Sequence, residues 1–426
     1  MKLSLLVIIA IFLGWFGAAS TQDVENSFVD IVDIPKSTVP TLDDALSTLT
    51  PRSGRSALLL GFDTDVSDDA KGYTQYYDDF EKLTQKDPTN KTLLLVREGE
   101  NLVISASLDY LAIPQANGWM YLGQARYFEP KPRGPNEELD KKEQDGWLKN
   151  FGFDYSRIWV TDRTENILAV QKSLVSKTKH EIDKEYKNLS FDEREYHRNI
   201  TDYEKISWVS DGYYIVDGYW SRISGGAAWF QADEKSRLVN LANQRLSGRL
   251  FNWVSKKNVI AKYKEDYDAN RRSDPSERYN DHDGIWARRE DALKNENPEM
   301  MPTFTIQRNN GRSILLGRTL VAGNAHRSFL ESVELGGAPQ QLVKYDNPNI
   351  DFEKIKALYP DLIDVFVSPN QNMVILLTKD EFVLIDAFAK KEISPIKHSS
   401  LFNKVVMVEW STGDYVDKWR RALRRN

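Results

Sequence analysis

The stretch Asp364–Ala387, DVFVSPNQNMVILLTKDEFVLIDA, decides how the fold is interpreted. SPNQN precedes one apolar run, and KDE separates that run from a second one. Short runs rich in β-branched residues, bounded by Asn, Asp, Ser and Pro, are typical of β-strands joined by turns. The stretch therefore predicts one unit of antiparallel sheet, which raises the question of whether the unit is repeated.

Run–turn–run patterns occur elsewhere in the chain. KTLLLVREGENLVISAS places Gly99 at a predicted hairpin turn, and TFTIQRNNGRSILL contains Asn310 and Gly311, a pair that favours type I′ turns. GWMYLGQARYFEP predicts a further strand pair around Gly123, and SRIWVTDRTENILAVQKS a pair around DRTEN. These units predict a mainly β fold with helical insertions and propeller-like repeated antiparallel sheets. The alternative is an α+β fold of antiparallel sheets with flanking helices.

Helical and charged segments interrupt the strand patterns. A charged insertion near 172–204 is predicted to be helical in its first half. A second insertion near 237–300 combines a helix predicted over Lys235–Tyr263 with the highly charged stretch Lys264–Met300. The chain closes on a short predicted helix, whose apolar side comprises Tyr415, Val416, Trp419 and Leu423.

The N-terminus has the order of a secretory signal. Lys2 precedes an apolar run, and Gly17 and Ala19 have the spacing of a cleavage site after Ala19. The run is also long enough to act as an uncleaved membrane anchor. We therefore assign 1–19 to a signal peptide or anchor, 20–56 to a leader that in part covers an edge of the fold, and 57–426 to a β-rich body.

Composition excludes several classes of protein. The chain has 426 residues, a net charge of -6 and no cysteine, which rules out disulfides and attachment as a lipoprotein. The absence of a basic surface signature argues against a nucleic-acid partner. A mean hydropathy of -0.54 argues against a protein that crosses the membrane many times. We expect an exported protein of the periplasm, cell surface or extracellular space, with membrane anchoring only through the N-terminal segment.

The sharpest local motif is YNDHDGIWARRE, which resembles a calcium-binding loop in its spacing. Asp281, Asp283 and Glu290 occupy positions that supply oxygen ligands in such loops. Tyr279 stands where the first carboxylate belongs, which would weaken the site. A polar turn ahead of a helix explains the same residues, so the sequence favours no cofactor, with calcium as the alternative.

Catalytic motifs are absent from the sequence. It contains no HExxH or HxH frame, no GxSxG elbow, no P-loop and no GxGxxG. Paired carboxylates of a glycan hydrolase are brought together by folding, so a sequence cannot exclude them. The sequence therefore leans against an enzyme without settling the matter.

The segment YYIVDGYWSRISGGAAWF concentrates aromatic residues. Rings in strands usually belong to the core, but exposed rings bind sugars or protein partners. Tyr219, Trp220 and Arg222 are the candidate ligand-binding residues if such a patch exists.

Three functional hypotheses follow. The first is a non-enzymatic exported scaffold that binds a protein or glycan partner, and it is the one we favour. The second is a secreted hydrolase acting on glycans through paired carboxylates. The third is an assembly factor that uses Lys264–Met300 as a docking arm.

Overall fold

A computed structural model describes much of the body of the chain. The described residues are 40–64, 90–130, 152–188, 197–210, 212–224, 230–241, 261–262, 265, 303–322, 328–346, 350–398 and 404–424. The apolar segment 1–19 lies outside them, and its role as signal or anchor stays a prediction. Within the described ranges, no helix is both long enough and apolar enough to cross a membrane.

The described helices are short except for one. They are α1 (Leu42–Ala45), α2 (Ile167–Asn188), α3 (Phe352–Leu358) and α4 (Tyr415–Arg424). The strands are β1 (Ser56–Asp63), β2 (Asn90–Glu98), β3 (Asn101–Leu108), β4 (Leu111–Gln115), β5 (Gly118–Pro130), β6 (Gly152–Thr161), β7 (His197–Val209), β8 (Tyr213–Ser224), β9 (Phe230–Asn240), β10 (Thr303–Asn309), β11 (Arg312–Ala322), β12 (Ser328–Gly337), β13 (Leu362–Val367), β14 (Met373–Thr378), β15 (Glu381–Asp386), β16 (Lys391–Lys397) and β17 (Lys404–Thr412).

These strands form three sheets. The largest has ten strands in the order β3-β2-β1-β17-β7-β6-β5-β4, with β8 pairing β7 and β9 pairing β8. Most neighbours are antiparallel, while β7 runs parallel to β6 and β17 over short stretches. A second sheet has the order β10-β11-β12, and a third the order β13-β14-β15-β16.

The opening stretch forms most of the third sheet. Its strands are consecutive and antiparallel, so the predicted sheet unit is confirmed. The hairpin predictions at Gly99 and at Asn310–Gly311 are also confirmed, because all three residues have positive φ at the turns that join β2 to β3 and β10 to β11.

The mainly β prediction is confirmed, but the propeller-like repetition is not found in the described part of the chain. The sheets contain ten, three and four strands rather than similar blades. The four-stranded sheet packs face to face on the ten-stranded sheet, and α1 and α3 cover its outer face. On the other side of the ten-stranded sheet, α2 and α4 pack together with residues of its own strands. The alternative of antiparallel sheets with flanking helices fits this arrangement broadly.

Strand β1 shows why the two sheets form layers. Every residue of SALLLGFD is buried, which requires cover on both faces of the strand. Leu58, Leu60 and Phe62 pack against the four-stranded sheet through residues such as Ile375 and Phe382. The alternate residues Ala57 and Leu59 face a second core, whose further members include Leu111 of β4, Trp159 of β6 and Trp419 of α4.

Two further cores complete the structure. The outer face of the four-stranded sheet packs on α1 and α3, with Leu46 and Ile355 buried between them. This places residues 40–49, which belong to the predicted leader, against the body of the fold. Trp208 of β7 packs with Phe304 and Leu315 of the three-stranded sheet.

Three local predictions are wrong. Gly123 is not a turn, because β5 continues through it, and a Cβ at this position would lie 2.7 Å from Trp159 Cε2. The run after DRTEN is helix α2 rather than a strand, since Ile167, Val170 and Leu174 pack on the core at helical spacing. The residues from Lys235 to Asn240 continue β9 instead of starting a helix, because they pair with β8.

Candidate functional site

The connecting segments at one end of the two packed sheets lie close together. We call this region the turn end and define it as residues 50–56, 99–100, 368–372, 387–390 and 413–415, of which Tyr415 is the first residue of α4. Pairing of Ser56 with Thr412 and of Ala57 with Val96 brings the ends of β1, β2 and β17 to this side. The Ala387 amide donates to the Asn372 carbonyl at 3.3 Å, which joins the two turns of the four-stranded sheet.

Hydrogen bonds fasten the segment 50–56 to the β13–β14 turn. The Arg52 amide donates to the Asn370 carbonyl at 2.8 Å. The side chain of Asn372, which is buried, donates from Nδ2 to the Gly54 carbonyl at 2.6 Å. These bonds satisfy backbone groups that no strand ladder would reach, so the segment is held in one conformation.

The sequence SPNQN explains the shape of the β13–β14 turn. Ser368 Oγ accepts from the amides of Asn372 at 3.2 Å and Met373 at 3.1 Å. Gln371 has a φ of 55°, a conformation that non-glycine residues adopt mainly in turns. The turn is therefore fixed by its own side chains as well as by the segment 50–56.

Charged pairs tie the turn end to the helix that follows β17. Arg55 donates from Nη1 and Nη2 to the two carboxylate oxygens of Asp417 at 2.6 and 2.9 Å. The hydrogen bond from Arg55 lowers the pKa of Asp417 and raises that of Arg55. The Gly413 amide also donates to the Arg55 carbonyl at 3.0 Å, so the β17–α4 turn is anchored at two points.

Asp386 organises the β15–β16 turn. Its Oδ1 accepts from the amides of Phe388 at 2.9 Å and Ala389 at 3.1 Å, and its Oδ2 lies 2.5 Å from Arg97 Nη2 of β2. Burial works to raise the pKa of Asp386, but these hydrogen bonds and the Arg97 charge hold it below its usual value. Ionised Asp386 therefore holds the β15–β16 turn against β2 of the ten-stranded sheet.

Two aromatic side chains are exposed on this fixed framework. Phe388, in the β15–β16 turn, is 56 % exposed, and Tyr415, directly after the β17–α4 turn, is 60 % exposed. Leaving a large ring in water forgoes about 2 kcal/mol of burial free energy. Rings held outward on rigid turns are suited to contact a partner, because little conformational entropy remains to be lost.

Buried carboxylates were the other candidates, since a glycan hydrolase needs a pair of them. Asp346 and Asp364 do converge, but on the guanidinium of Arg308, which donates from Nε to Asp364 Oδ2 at 2.8 Å and also bonds Asp346. Asp364 Oδ1 accepts from the amides of Gly311 at 3.1 Å and Val365 at 2.8 Å. This cluster joins the three-stranded sheet to the four-stranded sheet and has a structural role.

Arg308 remains charged in this cluster. Burial acts to lower the pKa of its guanidinium, but the charges of Asp364 and Asp346 and their hydrogen bonds raise it above the ordinary value. The ring of Phe366 lies 5.0 Å from the guanidinium carbon. Arg308 donates to both carboxylates, so neither of them is available as a catalytic base.

A second buried ion pair lies in the ten-stranded sheet. Lys205 Nζ of β7 is 3.1 Å from Asp63 Oδ2 at the end of β1, and Lys404 Nζ of β17 is 4.0 Å from the same oxygen. The three strands that supply these residues are neighbours in the sheet. Truncating one partner of such a pair would leave a buried charge without a partner, so we interpret the pair as structural.

The ligand-binding residues predicted from the sequence are only partly placed. The backbones of Tyr219, Trp220 and Arg222 lie in β8, paired with Tyr203, Asp202 and Ile200 of β7, but their side chains lie outside what the structure describes. Asp281, Asp283 and Glu290 lie outside the described ranges, as do residues 266–300 of the predicted docking arm. Within those ranges, no group of three or more His, Asp or Glu side chains could hold a metal ion.

Sequence reasoning missed Phe388 as a site residue and assigned Tyr415 to the apolar side of the last helix. For Phe388 the available signal was a large ring in the short polar connection AFAKKE, where burial is unusual. Tyr415 gave no such signal, because it stands next to Val416 and at helical spacing from Trp419.

Comparisons with known proteins do not assign a family. No family model matches the chain, and no curated protein matches it. Among solved structures, a crystal structure of a DUF3298 family protein from Pseudomonas aeruginosa aligns with 51 % of this chain and 89 % of that chain. The identity is 10 % and the TM-score 0.27, which is too low to support any inference about this protein.

Proposed function

We propose that this chain is an exported, non-enzymatic scaffold of the cell envelope or extracellular space that binds a protein or glycan partner through the turn end. The observation that supports this proposal is the presence of Phe388 and Tyr415, both more than half exposed, on turns that hydrogen bonds and ion pairs hold fixed.

A rigid framework with exposed rings has the properties of a binding surface. Loops positioned by packed sheets commonly supply binding residues, because they vary without disturbing the core. Aromatic rings give a large contact area and stack on sugar faces or fill pockets of a partner protein. Arg52 and Arg55 belong to the same turn end and are exposed, and the Arg55–Asp417 pair adds polar groups of the kind found at the rim of an interface.

The carboxylates described above favour binding over hydrolysis. A glycan hydrolase needs one carboxyl group that donates a proton and a second that acts as base or nucleophile. Asp346 and Asp364 share one arginine, and Asp63 faces Lys205. Each of these carboxylates is thus already paired with a cation of the fold.

The first experiment compares partner capture by variants of the full chain. Wild-type protein is immobilised and probed with arrays of cell-surface glycans and with purified envelope proteins. Phe388→Ala combined with Tyr415→Ala should weaken binding by about 10- to 100-fold, as expected for loss of two aromatic anchor residues. Tyr345→Ala is the matched control, because Tyr345 is 54 % exposed but lies outside the turn end.

Three results would change the proposal. Equal binding by the double variant would exclude the turn end as the surface. Loss of binding on Trp220→Ala alone would favour the β8 patch of Tyr219, Trp220 and Arg222 instead. Release of reducing ends from any glycan on the array by the wild-type chain would establish hydrolysis and overturn the non-enzymatic assignment.

A further inference from the structure

We propose that the outward side of helix α4 binds a membrane surface containing anionic lipid. The face is defined by Lys418, Arg421 and Arg424, and we call it the basic face. It goes beyond the binding proposed for the turn end and does not depend on it. The two surfaces share Tyr415, but the basic face rests on three cations that the turn-end proposal does not use, and its test changes only those cations.

The orientation of α4 is fixed by its apolar side. Val416, Trp419 and Leu423 are buried in the core beneath the ten-stranded sheet. The Trp419 ring meets Trp119 of β5 edge to face, with ring centroids 5.7 Å apart. These contacts fix the rotation of the helix about its axis, so the residues opposite the apolar side face solvent.

The other charges of the helix are already neutralised. Asp417 pairs with Arg55, and Arg420 pairs with Glu98 and donates from Nε to Ser105 Oγ at 3.3 Å. In contrast, Lys418, Arg421 and Arg424 are exposed, and no carboxylate of the described chain forms an ion pair with them. Arg421 also donates from Nε to the Asp417 carbonyl at 3.3 Å, beside the Arg55–Asp417 pair. With the two ion pairs counted as neutral, α4 keeps an excess of three positive charges.

Complementing the helix dipole does not account for the whole basic face. Cations stabilise the last turn of a helix, which is the position of Arg421 and Arg424. Lys418 is nearer the first turn, where the dipole disfavours a cation. Its Nζ lies 4.3 Å from the centre of the exposed Tyr415 ring, so the face combines a cation with a ring that has an apolar body and a polar tip.

A lipid surface fits these features better than a soluble anion. The basic face is one side of a helix rather than a cleft, which suits a broad charged plane. Tyrosine is enriched where membranes meet water, and each nearby cation strengthens attraction to anionic lipid. The chain as a whole has a net charge of -6, so its net charge does not attract it to an anionic membrane and any such attraction must come from a local excess of cations.

The N-terminal sequence makes such a contact physically accessible. An apolar run that acts as an export signal or an anchor brings the chain to a membrane in either case. Stable association of a peripheral protein commonly requires two weak signals, of which a cluster of basic residues is one.

The test measures partition of the full chain onto two kinds of vesicle. One contains phosphatidylcholine only, and the other contains about 30 % phosphatidylglycerol. Lys2 and the amino terminus beside the apolar run also favour anionic lipid, so the contribution of the N-terminus is removed by comparing each variant with the wild type, since all of them keep the same N-terminal segment. Since each cation adds about fivefold, replacing Lys418, Arg421 and Arg424 by Gln should lower the ratio on the order of a hundredfold.

The matched control replaces Lys172, Lys177 and Lys184 by Gln. These residues are exposed on α2, so the control makes the same change in net charge on another helix. The ratio should stay at the wild-type value in this control, and about 0.5 M salt should reduce the wild-type ratio toward one.

Three outcomes would overturn the proposal. A wild-type ratio near one, or an equal fall in both triple variants, would show that the basic face has no specific attraction to anionic lipid. Tight binding to soluble heparin, lost in the α4 variant while the vesicle ratio is unaffected, would assign the face to a soluble polyanion instead.

Discussion

At the scale of single residues, Arg308 shows how strongly this fold depends on buried charge. Its side chain is 6 % exposed and bonds two aspartates, of which Asp364 is 56 positions away in the sequence. A buried cation of this kind organises its surroundings without adding much net stability, but the surroundings cannot tolerate its removal.

Arg308→Met should therefore be strongly destabilising. The methionine fills part of the space but leaves Asp346 and Asp364 buried without a counter-charge, which costs about 3–5 kcal/mol. Urea unfolding monitored by circular dichroism would measure this loss.

Arg312→Met is the control for that substitution. Arg312 lies on the same hairpin, but it and its partner Glu334 are exposed, so the loss should be about 0–1 kcal/mol. Equal destabilisation by the two substitutions would contradict the role assigned to Arg308.

Single residues also mark the boundary of what the sequence could predict. Asn310 and Gly311 predicted their turn correctly, because the positive φ that this turn needs is a property of those residue types. Gly123 also suggested a turn, but the reason for a glycine there is different: the Trp159 ring packs against its backbone and leaves no room for a side chain. That ring comes from another strand, so a local pattern could not distinguish the two glycines.

At the scale of elements, α4 connects packing with both proposed surfaces. Its apolar side was predicted from spacing, and Val416, Trp419 and Leu423 are indeed buried. Tyr415 was placed on the same side but is exposed, because it is the first residue of the helix and precedes the part that contacts the sheet. Helix ends are where periodicity is least informative.

Trp419→Ala should release this helix from the sheet. Removing a buried Trp that contacts Trp119 is expected to cost about 3–5 kcal/mol, and hydrogen exchange of the α4 amides should rise with it. Tyr415→Ala serves as the comparison and should change stability by less than about 0.5 kcal/mol, since its ring is exposed. Unchanged exchange of α4 in the Trp419 variant would show that other contacts hold the helix.

At the scale of the whole molecule, the four-stranded and ten-stranded sheets share one core. Leu58, Leu60 and Phe62 from β1 meet Ile375 and Phe382 across the interface. The individual strands were largely predictable, because each has its own apolar run and turn. The order of the strands within the ten-stranded sheet could not be predicted. The pairing of β1 with β17 joins residues from opposite ends of the body, and no local pattern encodes it.

The shared core predicts that the two sheets unfold together. Phe382→Ala removes a ring from the four-stranded sheet and should cost about 3–5 kcal/mol. The most protected amides of β1 should lose as much protection as those of β14, which hydrogen exchange followed by mass spectrometry would measure. Protection retained in β1 while β14 opens would show instead that the sheets are independent units.

The position of β17 has a consequence for how the chain is made. This strand lies between β1 and β7 in the ten-stranded sheet, so the sheet has a gap until residues 404–412 have been synthesised. Until then β1 presents an unpaired apolar edge, the kind of edge that recruits other chains. The β1 edge must therefore stay in unfolded chain or be shielded by a chaperone until residues 404–412 are available to cover it.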